Sequence, residues 1–328
     1  MVTGALPTSD RIWHPPGPRA DDDIPASAHH LFDPSVWRSA QRDHAGELAF
    51  LTEAMGQLDE RLRSGPAGWR HRCALQEAAA LSWWAGDRIG ADRLALWLGA
   101  RLSGVGDDAR ALARAGWAAR RLGATTDPRR AAAAFFGRTG GDDAMAADLE
   151  EALAGTDGLH PAVAAARLFP LWRQRGSGRP GDDIEAAVLA MRVARPVSGG
   201  AVAGLGFLPL AHPTPGALTQ SGPVAARLAA WLQGATRATR AALAETDRLR
   251  NWEATARARL GPRPGATLDA ILRTAGHWPT LSVQLVEAQT GASRATAARH
   301  LARLDEAGLI REITGQSRYR AWRITTRD

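Results

Sequence analysis

Three stretches of this chain set two carboxylates side by side after a glycine: Gly106-Asp107-Asp108, Gly141-Asp142-Asp143 and Gly181-Asp182-Asp183. Paired carboxylates can do acid–base chemistry or hold a metal. Each of these pairs precedes a run rich in alanine and leucine, where an aspartate accepts hydrogen bonds from free helix amides and complements the helix dipole. They are read as helix starts. His29-His30 has no third ligand at a metal-binding spacing and is read as a surface pair. Gly200-Ala201-Val202-Ala203-Gly204-Leu205-Gly206 is glycine-rich, but no Gly-Lys-Ser/Thr follows and the chain contains no lysine, which excludes a P-loop. Cys73, near His71 and Gln76, is read as a small buried hydrophobe. No catalytic residue, cofactor or metal is expected from these residues, and the chain is not read as an enzyme.

The residues with a coherent chemical pattern lie at the other end. Ser293, Arg294, Thr296, Arg299, His300 and Arg303 fall within one helical stretch, and Arg318, Tyr319 and Arg320 follow in an alternating one. Residues 293–328 hold eight arginines and four acids, so +4 of the net +7 sits in that segment. Guanidinium groups pair with phosphates and with base edges, so these nine residues are the expected DNA-binding set.

The elements that must position them can be read from spacing. Leu268, Ile271 and Leu272 share one face of a short helix. Ser282 caps a second helix carrying Val283, Leu285 and Val286. Gly291 makes the turn, and Ser293 caps a third helix over 294–307, with Ala297, Leu301 and Leu304 inward. Gly308 ends it. The period then changes to alternation at Leu309, Arg311 and Ile313, and again at Arg318, Arg320, Trp322 and Ile324, with a turn at 314–317. A hairpin after such a helix is a wing.

Upstream, Leu48, Leu51, Met55, Leu58 and Leu62 form one helical stripe that stops at Ser64-Gly65-Pro66. Further helices are expected over 69–84 and 92–102. Pro209, Pro213, Pro215 and Pro223 mark a loop. Leu228 to Trp252 reads as one long helix, or as two broken near Gly234. Strand signals are nearly absent before residue 261. The 12 tryptophans are dispersed at helical intervals and read mostly as core. Trp83-Trp84 is the exception, because helix neighbours cannot face the same way, and one of them is expected at a pocket or an interface.

The C-terminal segment resembles the winged helix that ends many Fic-domain proteins. The resemblance rests on Ser293-Arg294-Ala295-Thr296-Ala297-Ala298, then Leu309 to Gly315, then Arg318-Tyr319-Arg320. Residues 228–260 are similar to the helix before it in those proteins. Taken over about 40–325, the chain is similar to a bacterial (rhizobial-type) family that joins a helical domain of unknown function to a C-terminal helix-turn-helix. Fic enzymes carry a His-Pro-Phe-x-Asp-Gly-Asn-Gly-Arg loop that transfers AMP. Here the nearest match, His160-Pro161 through Arg167, lacks the acid, the asparagine and both glycines. Ser82-Trp83-Trp84-Ala85-Gly86 likewise has alanine where the inhibitory Ser-x-x-Glu-Gly helix has glutamate. The resemblance implies an architecture without the catalytic loop.

The expected fold is mostly α: a helical-bundle body with a C-terminal winged helix-turn-helix and a small β-hairpin wing. An irregular arm covers 1–34, an all-helical domain 35–260, and the winged helix 261–328, joined by the stiff linker Gly261-Pro262-Arg263-Pro264-Gly265. The expected partner is double-stranded DNA, read by a homodimer in transcriptional regulation, with the body used for dimerisation or sensing. A divergent nucleotidyl transferase and a winged helix that docks on protein are the rival readings. A single cysteine and the lack of a signal-peptide pattern or a membrane-length apolar run point to a cytoplasmic protein.

Overall fold

In a computed structural model the described residues are 31, 33–101, 108–137, 142–176, 181–195, 204–219, 221–261, 265–315 and 319–325. Residues 1–30 and 32 of the expected arm, with His29-His30, and also Asp107, the centre of the 261–265 linker and Arg318 lie outside them; the arm's last residues, Asp33 and Pro34, begin a helix instead of an irregular stretch.

The described chain is mostly helical, with a small antiparallel sheet near its C-terminus. The first helix, α1 (Pro34–Asp43), was not expected from periodicity. It starts with proline at its first position and with the Asp33 side chain accepting from Ser35 N–H. The next three follow the sequence pattern: α2 (Ala45–Ser64), α3 (Gly68–Trp84) and α4 (Ala91–Ala100). On α2, Leu51, Met55, Leu58 and Leu62 are buried as the stripe requires. A left-handed Arg101 ends α4, just short of the expected boundary. Then come α5 (Ala109–Gly123), α6 (Ala132–Phe136), α7 (Asp142–Leu153), α8 (Pro161–Arg175) and α9 (Asp182–Val193).

The paired aspartates do begin helices, but not by one device. Asp108 accepts from the amides of Arg110 and Ala111, a side-chain cap. At α9 the cap position is Gly181, with φ at +114°, and Asp182, Asp183 and Glu185 instead occupy the first turn, where they complement the dipole.

The helix α10 (Val224–Leu260) runs 37 residues without a break. Gly234 is not a hinge. A Cβ there would lie 2.5 Å from the backbone nitrogen of Ala217, so the glycine lets the 207–223 loop press against the helix. α10 packs on α2, with Thr239 against Met55 and Asp247 paired with Arg61, and its far end reaches the C-terminal segment.

That segment comprises α11 (Ala266–His277), β1 (Leu281–Ser282), α12 (Val283–Thr290), α13 (Arg294–Glu306), β2 (Ile310–Glu312) and β3 (Ala321–Ile324). The strand order is β1-β3-β2, antiparallel throughout, with Leu281 opposite Trp322 and Ile310 opposite Ile324. The hairpin of β2 and β3 is where alternation placed it, whereas β1 was not foreseen.

Buried side chains of the body and of this segment form one continuous cluster. α11 lies on α3, α12 lies on α4, and a Cβ on Gly99 would meet the Leu285 side chain at 2.3 Å. At the centre of the junction sits Arg72, only 4% exposed. Its Nε donates to Glu245 of α10 at 2.9 Å, and its Nη1 donates to the carbonyls of Ala275 at 3.2 Å and Trp278 at 2.8 Å. Those carbonyls belong to the end of α11, where a helix has no acceptors' partners of its own. Around this clamp, Trp252 Nε1 donates to the Leu309 carbonyl, Arg259 to that of Ala307, and Asp92 holds both Thr280 and Arg323.

Removing one partner of a buried, hydrogen-bonded ion pair strands the other. Arg72→Ala is therefore expected to lower stability by about 3–5 kcal/mol in urea unfolding. A loss below about 1 kcal/mol would show that the junction does not depend on this side chain.

Candidate nucleic-acid interface

The inward face of α13 is Ala297, Leu301 and Leu304, each fully buried. These residues fix which side looks outward. Ser293 caps the helix, its Oγ accepting from Thr296 N–H at 3.3 Å and donating to Thr296 Oγ1 at 3.0 Å. Before it, Gly291 adopts φ +69° to close the α12 end, and Ser282 caps α12 by accepting from Leu285 N–H.

The outward face carries Arg299 and Arg303, one turn apart, interleaved with exposed Ala295, Ala298 and Ala302. Arg294 stands exposed at the first helical position. None of Arg294, Arg299 and Arg303 has a hydrogen bond or ion pair among the described residues. Two like charges spaced i, i+4 cost an isolated helix a few tenths of a kcal/mol. The small alanines between them leave the helix surface low, so that a partner can approach its backbone closely.

The other expected site residues are placed unequally. Ser293 spends its hydroxyl on the cap, and Thr296 Oγ1 accepts from it. His300 is partly buried, its Nδ1 is sealed without a partner, and burial together with Arg299 and Arg303 lowers its pKa, so it stays neutral. Tyr319, 75% exposed and left-handed, stands at the hairpin end. Arg320 is committed: its guanidinium lies 5.0 Å over the Trp322 ring and 3.7 Å from Asp305, which also accepts from Trp322 Nε1. The chain leaving β2 is held by Glu312, whose carboxylate accepts from the Thr314 hydroxyl and from the amides of Thr314 and Gly315; the hydroxyl first, and then the amides, lower its pKa. Arg311 is exposed on β2 opposite Arg323 and has no side-chain partner among the described residues.

Elsewhere, residues weighed for chemistry have structural uses. His160 caps α8, with Nδ1 accepting from Ala162 N–H at 3.2 Å. Ser82 is buried and accepts from Ile89 N–H. Cys73 is buried, which pushes its thiol up to about 12. Among the described residues no cluster of three or more histidine, cysteine or acidic side chains could hold a metal, and no helix is long and apolar enough to cross a membrane.

Behind the interface, two imidazoles meet across the junction. His71 of α3 and His277 at the end of α11 have ring centroids 4.3 Å apart, and the Trp278 ring lies edge-on to His71 at 4.6 Å. His71 Nε2 is sealed without a partner. Burial, and secondarily His277, pushes the His71 pKa down to about 4, and burial lowers His277 as well.

No protein-family model matches the chain, and none of the curated proteins is significantly similar to it.

The histidine pair predicts a pH dependence. Above pH 6.5 His71 is neutral whether folded or unfolded. Below that the unfolded chain takes a proton that the folded one refuses until about pH 4, so stability is lost as pH falls through this window. The loss is on the order of 3 kcal/mol for this group. Glu77, pushed up to about 7 by burial, gives the opposite slope over a similar range. The test is therefore the difference between wild type and His71→Gln: the variant loses less stability between pH 7 and pH 4.5, and parallel profiles would refute the assignment.

Proposed function

We propose that residues 265–325 form a winged helix-turn-helix that binds double-stranded DNA, with α13 as the helix that enters the major groove. The observation that carries the reading is the outward face of α13: guanidinium groups without partners, set among alanines, on a helix whose opposite side and both ends are fixed. A helix is about 10–12 Å across and the major groove about 12 Å wide, so a low, basic helix face suits it. Arg294 and Arg299 are assigned to base edges or neighbouring phosphates, and Arg303 to the backbone. Tyr319 and the hairpin around it are assigned to the flanking strand as a wing.

The Ser293 hydroxyl orients the helix start, and the Thr296 hydroxyl keeps its hydrogen for a base or a phosphate. Arg320 supports the hairpin through Trp322 and Asp305, so its replacement weakens binding indirectly. Two copies on a repeated half-site supply the length of sequence that one short helix cannot. Transcriptional regulation is the use this reading favours, and the helical body is the part that dimerises or senses.

Fluorescence anisotropy of a labelled random duplex tests the reading, with wild type and Arg294→Ala/Arg299→Ala/Arg303→Ala titrated at several salt concentrations. Each phosphate contact contributes about 0.9 to the slope of log affinity against log salt, so the triple variant should bind at least ~10-fold more weakly and with a slope lower by about 2–3. Wild type that fails to bind at low salt, or a variant with an unchanged slope, contradicts it.

A further inference from the structure

A cleft of about 570 Å³ opens where the body meets the C-terminal segment. One stripe of α3 forms its floor: Arg72, Gln76, Ala79, Ala80 and Trp83, at helical spacing. Pro213 and Pro215 of the loop before α10 face it, and Pro279, Arg323 and Ile324 of the C-terminal segment close one side. The volume lies within the usual range of small-molecule sites, roughly 300–1,000 Å³.

Its two ends differ chemically. At the mouth, Trp83 is 57% exposed and makes no ring contact among the described residues, although its neighbour Trp84 packs on Phe169 and under Arg173. A bare indole on a rigid helix is a ready stacking surface. At the inner end, Arg72 uses Nε and Nη1 for the junction, and its Nη2 makes no hydrogen bond among the described residues. The side chains of Gln76 and His212, which also line the cleft, make none either. Among the residues that line the cleft, Arg72 pairs with Glu245 and Arg323 with Asp92, so these charges balance, and the open donors are Arg72 Nη2 and the Gln76 amide.

We propose that this cleft binds a small, planar aromatic carboxylate, with the ring system against Trp83 and the prolines and the carboxylate toward Arg72 and Gln76. A carboxylate offers acceptors to both Arg72 and Gln76, an amide of the same shape offers one carbonyl, and an ammonium offers none, so the site ranks the three in that order. A ligand seated there touches α3, α4 and β3 at once, and so bears on the ties that hold the C-terminal segment. That last consequence, control of DNA affinity, rests on the DNA-binding reading; occupancy of the cleft does not.

Isothermal titration with 2-naphthoate, 2-naphthamide and 2-naphthylmethylammonium, in the absence of DNA, tests the site. The carboxylate should bind with a Kd on the order of 10–100 μM. The amide should bind at least about 10-fold more weakly and the ammonium weaker still, in line with the acceptors each one offers to Arg72 and Gln76. Trp83→Ala, at an exposed position where folding is not at stake, should weaken naphthoate at least about 10-fold, and Arg323→Gln should narrow the gap between carboxylate and amide. No saturable heat with naphthoate, equal affinity for the three probes, or wild-type affinity in Trp83→Ala each overturns the proposal. Because no DNA is present, a failure here is distinct from a failure of the DNA-binding reading.

Discussion

The arrangement of this protein depends on satisfying one buried guanidinium. Arg72 is almost wholly removed from water, and a charge in that position is tolerated only when its donors are met. Its Nε is met by a carboxylate from α10 and its Nη1 by two carbonyls at the end of α11, so one side chain of α3 joins the body, the long helix and the start of the C-terminal segment. Glu245 is itself shared with Arg248, which keeps it ionised: Arg72 and Arg248 lower its pKa against the opposing effect of burial. Once α11 is held there, Asp92 can reach Thr280 and Arg323, and the end of α10 can cap the chain leaving α13. The basic helix is therefore presented in a fixed orientation on a scaffold, with its free arginines turned outward.

Local sequence was a good guide wherever a local rule applies. The α2 stripe, the stops at Gly65 and Gly291, and the serine caps of α12 and α13 are each decided within a few residues, and all are found as read. The burial of Ala297, Leu301 and Leu304 follows from 3.6-residue periodicity alone. The two-residue strand β1 left no pattern because it is too short to alternate; it exists because Ala321 and Trp322 arrive beside it from 40 residues away. The choice between one helix and two at Gly234 was open for the same reason, since its answer lies in Ala217 on another segment.

The candidate site shows the same division more sharply. Helical position correctly separated the inner face of α13 from the outer one. It could not say that Ser293 and Thr296 would engage each other, that His300 would be sealed, or that Arg320 would lie on Trp322 beside Asp305. Those are questions of partner, and partners come from tertiary packing. The Arg72–Glu245 pair spans 173 positions, so no pattern along the chain announces it. Trp83 is an intermediate case: two adjacent tryptophans on a helix must diverge, which signalled an exposed ring, but what stands around it became visible only in three dimensions.

Contact between α13 and DNA can be read out by a probe placed on that helix. Cys73 is the chain's only cysteine and is buried, with its thiol pushed up to about 12, so an introduced cysteine can be labelled selectively. Ala295→Cys carries a hydroxyl-radical source on the exposed face of α13, and Phe50→Cys carries the same source at an exposed position on the body. On a duplex enriched by the protein from random sequence, strand cleavage is expected within a few base pairs with the first label and none above background with the second. Cleavage that is absent from the first, or equal for the two, would contradict that contact.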